Sequence, residues 1–163
     1  MLDAARALPR LMNDDFRDLI QALLRVGARF LVIGAHAMAV HGVPRATGDL
    51  DLWIRPDAAN ADHVWEALIS FGAPVRGLDL SRQDLATPGI VVQIGLPPRR
   101  IDLLTEVSGL DFDDAWNNRA SHRVGSHDVP FLGREDLMRN KRATGRKKDL
   151  ADLEILEQGN DQK

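Results

Sequence analysis

A chain of 163 residues, 44% hydrophobic and 28% charged, is long enough to bury the core of one globular domain. It has no cysteine, which excludes disulfides and thiolate metal sites, and no apolar run near the roughly 20 residues that span a bilayer. The net charge of −3 argues against nonspecific coating of nucleic acid, but residues 134–148, REDLMRNKRATGRKK, concentrate seven Lys or Arg against two acids. That run reads equally as a solvated helix face or as an anion-binding one. The opening MLDAARALPRLMNDDFRD carries acids and no signal-peptide core, so the expected location is cytoplasmic, with no membrane partner.

In chain order, Phe16, Leu19, Ile20, Leu23 and Leu24 repeat at helical spacing from about Asn13, and Gly27 is a natural stop. RFLVI (29–33) follows as a short buried strand, and Gly34 turns the chain into a small-residue helix, AHAMAVHG. DLDLWI (49–54) is a second strand, and Asp57 can cap a helix with the apolar stripe Val64, Trp65, Leu68 and Ile69. GLDLSRQDLATPG is turn-rich, with no periodicity. IVVQIGL (90–96) and RIDLLTEV (100–107) form an antiparallel hairpin across Pro97-Pro98-Arg99, DFDDAWNNR is helical, VPFL (129–132) is a short strand, and residues 134–158 are two helices broken near Gly145. This order predicts an α/β (α+β) domain, a small mixed sheet with helices packed on it. The whole chain, 1–163, is read as one domain with a core of about 16–133 and a C-terminal helical segment, 134–158.

Two strands break their apolar pattern with aspartate. In DLDLWI, Leu50, Leu52 and Ile54 face one way while Asp49, Asp51 and Trp53 face the other. In RIDLLTEV, Asp102 does the same. Aspartate is depleted in strands because its short side chain competes for the backbone and resists burial. If the two strands are neighbours, Asp49, Asp51 and Asp102 converge and repel one another. A hard dication relieves that repulsion. Mg²⁺ takes oxygen ligands, usually a few carboxylates plus substrate phosphates, and two such ions about 4 Å apart can clamp a phosphoryl displacement. The competing reading makes Asp49 a strand-start residue and Asp102 an exposed edge residue.

The turn Val32-Ile33-Gly34-Ala35 ends a buried strand and opens a helix, a place where a phosphate can approach backbone N–H groups. Ile33-Gly34-Ala35, thirteen residues (36–48), then Asp49-Leu50-Asp51-Leu52, with Asp102 as third carboxylate, resembles the motif of the nucleotidyltransferase superfamily with the DNA polymerase β-like fold. GVPRATGDLDLWI, PPRRIDLLTEVSG and NKRATGRKKDLADLEIL are most similar to small bacterial members related to AbiEii-type toxin nucleotidyltransferases, over about residues 16–157. The resemblance implies that Asp49 and Asp51 hold two Mg²⁺ ions that bridge an NTP triphosphate. Asp102 would ligate the second ion and help deprotonate the acceptor hydroxyl, and backbone around Gly34 and Ala35 would cradle phosphates. Lys141 resembles the lysine that such toxins direct at the triphosphate, with Arg146 and Lys148 assisting.

Asp149 and Asp152 match the family's Lys-Asp-x-x-Asp-Leu segment, but read better as structural first-turn helix acids, with Lys148 and Asp152 as an i,i+4 pair. His36 and Arg45 stand near enough to the expected phosphate turn to touch a nucleotide, while Trp53 reads as packing. Ala35 stands where the family has Gly or Ser, so a hydroxyl contact is missing.

The resemblance implies transfer of NMP from ATP or another NTP to a hydroxyl, with pyrophosphate released. The acceptor would be RNA such as a tRNA 3′ end, and the protein a toxin with an antitoxin partner. The alternatives are a transferase acting on a protein or small-molecule hydroxyl, or a non-catalytic nucleotide- or RNA-binding member of the fold.

Overall fold

The computed structural model describes residues 12–43 and 48–161. Its first helix, α1 (Asp14–Arg25), starts where the Asn13 side chain accepts a hydrogen bond from Phe16 N at 3.0 Å, and buries Phe16, Leu19, Ile20 and Leu23. Strand β1 (Phe30–Ile33) is buried throughout and runs directly into α2 (Gly34–Val40). Strand β2 (Leu50–Ile54) leads to α3 (Ala58–Phe71), which is capped by Asp57 and ended by Gly72 in the left-handed region. Buried Asn60 on α3 bonds Arg29 N, Arg29 O and Arg55 O, which ties the start of β1 to the end of β2.

The turn-rich middle contains a one-turn helix, α4 (Arg82–Leu85), held by a reciprocal capping box between Ser81 and Asp84. The expected hairpin follows as β3 (Val91–Ile94) and β4 (Ile101–Leu104), and then α5 (Phe112–Asn117). Before the expected short strand, here β6 (His127–Phe131), lies a strand absent from the sequence reading, β5 (Ala120–Val124). It is an edge strand of polar residues, ASHRV, whose outward positions face water, so it has little apolar alternation to betray it. The chain ends in α6 (Arg134–Thr144), stopped by Gly145, and α7 (Lys147–Asp161).

The six strands form one mixed sheet in the order β3-β4-β2-β1-β6-β5. β1 and β2 pair antiparallel, β2 and β4 parallel, and β1 and β6 parallel. One face carries Leu50, Leu52 and Ile54 with Ile101 and Leu103, each at most 1% exposed. This fully apolar face fixes the register, because a slip of one residue would put the aspartates into the core. The architecture is the mixed α/β fold expected from the element order.

Candidate functional site

Parallel pairing of β2 with β4 sets Asp51 directly beside Asp102, with Leu50 beside Ile101 and Leu52 beside Leu103. Adjacent strands lie only about 4.8 Å apart, so two carboxylates on one face at one register position must meet. Antiparallel pairing of β1 with β2 places Ile33 opposite Asp51, which brings the β1–α2 turn against the same carboxylate. Gly34 holds φ at 68°, and a Cβ there would collide with Asp51 Oδ2. Glycine is therefore required twice over, by conformation and by contact. Gly48, just before Asp49, packs so closely on Pro98 that a Cβ would come within 2.7 Å of the Pro98 Cα. The β3–β4 link thus holds Asp49 at the mouth of the site.

The electrostatics follow from this crowding. Burial, then the charge and hydrogen bond of Asp102, then the charge of Asp49 push the Asp51 carboxyl up to about 6, against a smaller lowering by Arg100. The Arg100 guanidinium lies 2.9 Å from Asp49 Oδ2 through Nη2 and 3.0 Å from Asp102 Oδ1 through Nε. Arg100 escaped the sequence reading. Its signal was its place two residues before Asp102, which becomes informative once β4 is known to pair with β2.

The opposite wall comes from the C-terminal helices. Asn140 on α6 donates to Ser108 O at 3.0 Å, fastening the helix to the segment after β4. Lys141, 8% exposed, points its ammonium at Asp152 (3.0 Å) and Asp149 (3.4 Å), both almost wholly buried on α7. Asp152 therefore pairs with Lys141 across two helices, where the sequence suggested Lys148 within one. Arg146 Nε donates to Asp149 Oδ2 at 2.6 Å. Burial would raise the Asp149 carboxyl, but hydrogen bonds from Arg146 and Thr144 and the charges of Lys141 and Arg146 outweigh it and hold the group well below the usual carboxylate range.

Between these walls is a cleft of about 530 Å³ whose lining includes Gly34, Ala35, the three carboxylates of the sheet and Lys141, Arg146 and Lys148. A groove of about 550 Å³ between α1, α3 and the β3–β4 link lies elsewhere; it lacks this convergence of buried charge. One expectation is not met at the cleft. His36 is 0% exposed, its ring edge-on to Phe16 at 5.8 Å, because its position on α2 faces α1 and not the carboxylates. Arg45 lies outside the described residues. Trp53, 2% exposed and edge-to-face with Phe112 at 5.0 Å, is a packing residue, as read from the sequence, although it shares the strand face of the carboxylates.

With the site described, the chain can be set beside known proteins. Residues 12–163 match the family model described as "Nucleotidyl transferase of unknown function (DUF2204)". The chain belongs to this family. The same fold occurs in the crystal structure of a "putative nucleotidyltransferase (TM1012)" from Thermotoga maritima, at a TM-score of 0.55 and 14% identity, over 90% of this chain and 91% of that one. No curated protein matches the chain. Among the described residues, no three carboxylate or imidazole groups surround a single preformed ion position; the Arg100 guanidinium reaches both Asp49 and Asp102 instead.

Proposed function

We propose that this single-domain protein is a Mg²⁺-dependent nucleotidyltransferase that moves NMP from an NTP to a hydroxyl acceptor and releases pyrophosphate. The observation that carries this reading is the Asp51–Asp102 pair, with Asp49 beside it, set against the Gly34 turn at the floor of the cleft. The residues fit magnesium. They are hard oxygen donors, Asp102 Oδ1 is buried without a directed hydrogen bond, and Gly34, having no side chain, lets the Asp51 carboxylate close against the β1–α2 turn. Asp49, Asp51 and Asp102 would hold the metal, which supplies charge neutralisation at the phosphates. Asp102 then takes the proton of the acceptor hydroxyl, and backbone at Gly34 and Ala35 bonds phosphate oxygens. Arg146, whose side chain is 70% exposed, would meet phosphate from the helical wall, with Lys148, whereas Lys141 acts as a buried charge between Asp149 and Asp152.

The acceptor we favour is RNA, a tRNA 3′ end in a toxin role, on the strength of the likeness to AbiEii-type toxins. The basic run 134–148 supports this less than its composition suggested. Arg134, Arg139, Lys141, Arg142 and Arg146 are engaged within the chain, by Leu156 O and His41 O, Asp136, Asp149 with Asp152, Glu157, and Asp149 respectively. Lys147 and Lys148 complete the run. A second reading, a non-catalytic nucleotide or RNA binder, is favoured by Ala35, which lines the cleft without a hydroxyl. Transfer from labelled ATP, CTP, GTP and UTP with Mg²⁺, offered total RNA and soluble protein in parallel, separates these. Label on RNA that disappears in Asp102→Ala is expected. Label on protein redirects the acceptor, and Mg²⁺-dependent NTP binding with no transfer favours the binder.

A further inference from the structure

Among the described residues, the chain itself places a cation, Arg100, against Asp49 and Asp102. β2 and β4 are in parallel register, so the positions one step before Leu50 and Ile101 are Asp49 and Arg100. The two-residue period of a strand then puts Arg100 on the face of Asp49, Asp51 and Asp102. Leu50 N donates to Arg100 O at 3.0 Å, which fixes this placement in the backbone. Of the two charge contacts, that from Nη2 to Asp49 is a directed hydrogen bond at 2.9 Å. Nε approaches Asp102 Oδ1 at 3.0 Å, yet both atoms are buried and neither makes a directed bond among the described residues. An arginine guanidinium frequently pairs in bidentate fashion, with two parallel bonds to one carboxylate. This one is divided between two carboxylates, and satisfies their charge better than their geometry.

Arginine stays protonated at every physiological pH, so these carboxylates are not released by deprotonating it. They are released by exchange with another cation. We propose that Arg100 is the resident counter-ion of this site, and that Mg²⁺ binds Asp49 and Asp102 by displacing it; the proposal rests on the magnesium-dependent reading above. Arg100 then has two linked effects of opposite sign. It stabilises the metal-free fold by offsetting repulsion among three carboxylates, and it weakens Mg²⁺ binding, because whatever stabilises the metal-free form opposes the loaded one. A guanidinium with a merely structural role would stabilise both forms alike.

The test is Mg²⁺ binding to the full chain without nucleotide, at constant ionic strength, by calorimetry and by thermal unfolding in EDTA and in saturating Mg²⁺. Wild type is compared with Arg100→Gln and Arg100→Lys. The expected result is roughly tenfold tighter Mg²⁺ binding in Arg100→Gln, with a smaller gain in Arg100→Lys, whose point charge lacks the fork. Arg100→Gln should melt below wild type in EDTA and recover most of the difference in Mg²⁺. Unchanged or weaker Mg²⁺ binding in both variants overturns the proposal, as does equal destabilisation of Arg100→Gln with and without the metal. If Arg100→Gln does not fold even in Mg²⁺, the binding midpoint of Arg100→Lys decides: tighter supports exchange, unchanged overturns it. A folded wild type that binds neither Mg²⁺ nor Mn²⁺ without nucleotide, or one that binds them with the variants unaltered, overturns this proposal alone; the transferase reading falls only if Mg²⁺-dependent NTP binding and transfer are absent as well.

Discussion

The two walls of the cleft solve the same electrostatic problem in opposite ways. The helical wall buries Asp149 and Asp152 but surrounds them with Lys141 and Arg146, so its charges cancel within hydrogen-bonding distance. Among the described residues, the sheet wall sets Asp49, Asp51 and Asp102 against the Arg100 guanidinium, and burial followed by the neighbouring carboxylates raises the Asp51 carboxyl. A self-neutralised buried cluster holds helices in place. A cluster left with excess charge costs stability unless something positive arrives, which is the behaviour of a binding site.

The comparison is broken most severely at Asp51. Asp51→Asn should abolish nucleotidyl transfer, by about 10³-fold or more, while raising the melting temperature of the metal-free protein by a few degrees, since it removes repulsion without changing shape. Transfer assays and calorimetry in EDTA on the same preparation check both halves; a variant that keeps turnover sinks the metal assignment. On the other wall the signs reverse. Lys141→Met leaves Asp149 and Asp152 buried without their ammonium and should cost about 3 kcal/mol in urea unfolding, whether or not Mg²⁺ is present.

The pH dependence sharpens the same contrast. Asp51 is raised in the fold, so the folded state holds its proton more tightly than the unfolded chain, and this residue's contribution to metal-free stability falls as pH rises from about 4 to about 6. Mg²⁺ needs the ionised form, so its apparent affinity should fall as pH drops through 6. Asp149 is depressed, so its contribution is full above the ordinary carboxylate range and is lost only as pH falls below it. Stability and Mg²⁺ titrations between pH 4 and 8 should therefore report the sheet wall and leave the helical wall unchanged. The smallest expected effect is at Ala35: Ala35→Ser restores a hydroxyl in the cleft and should tighten NTP binding by a few-fold, about 1 kcal/mol.

Much of this contrast was readable in the chain, and the exceptions have physical causes. Asp49, Asp51 and Asp102 stood out because aspartate in an apolar strand violates a local rule, and such violations gather at functional sites. The glycine turn was legible for the same reason. Arg100 was not, because its meaning depends on which strand lies beside β4 and in what register, a pairing between residues some fifty positions apart. Lys141 was read, through the resemblance, as a lysine directed at the triphosphate; its carboxylate partners were not legible, since they lie on the next helix and meet it only after the reversal at Gly145. Strand β5 was missed because an edge strand exposed on one side can be polar.

By itself, then, the sequence determined most of the element types, the apolar face that forces the strand register, and the three carboxylates that share the other face. Those are consequences of periodicity and side-chain chemistry, which act over a few residues. Only the tertiary structure decided that Asp51 and Asp102 touch, that Arg100 stands between Asp49 and Asp102, that His36 is core, and that the basic segment is largely paired internally. Charge interactions depend on distance and burial, and neither exists until distant segments have packed.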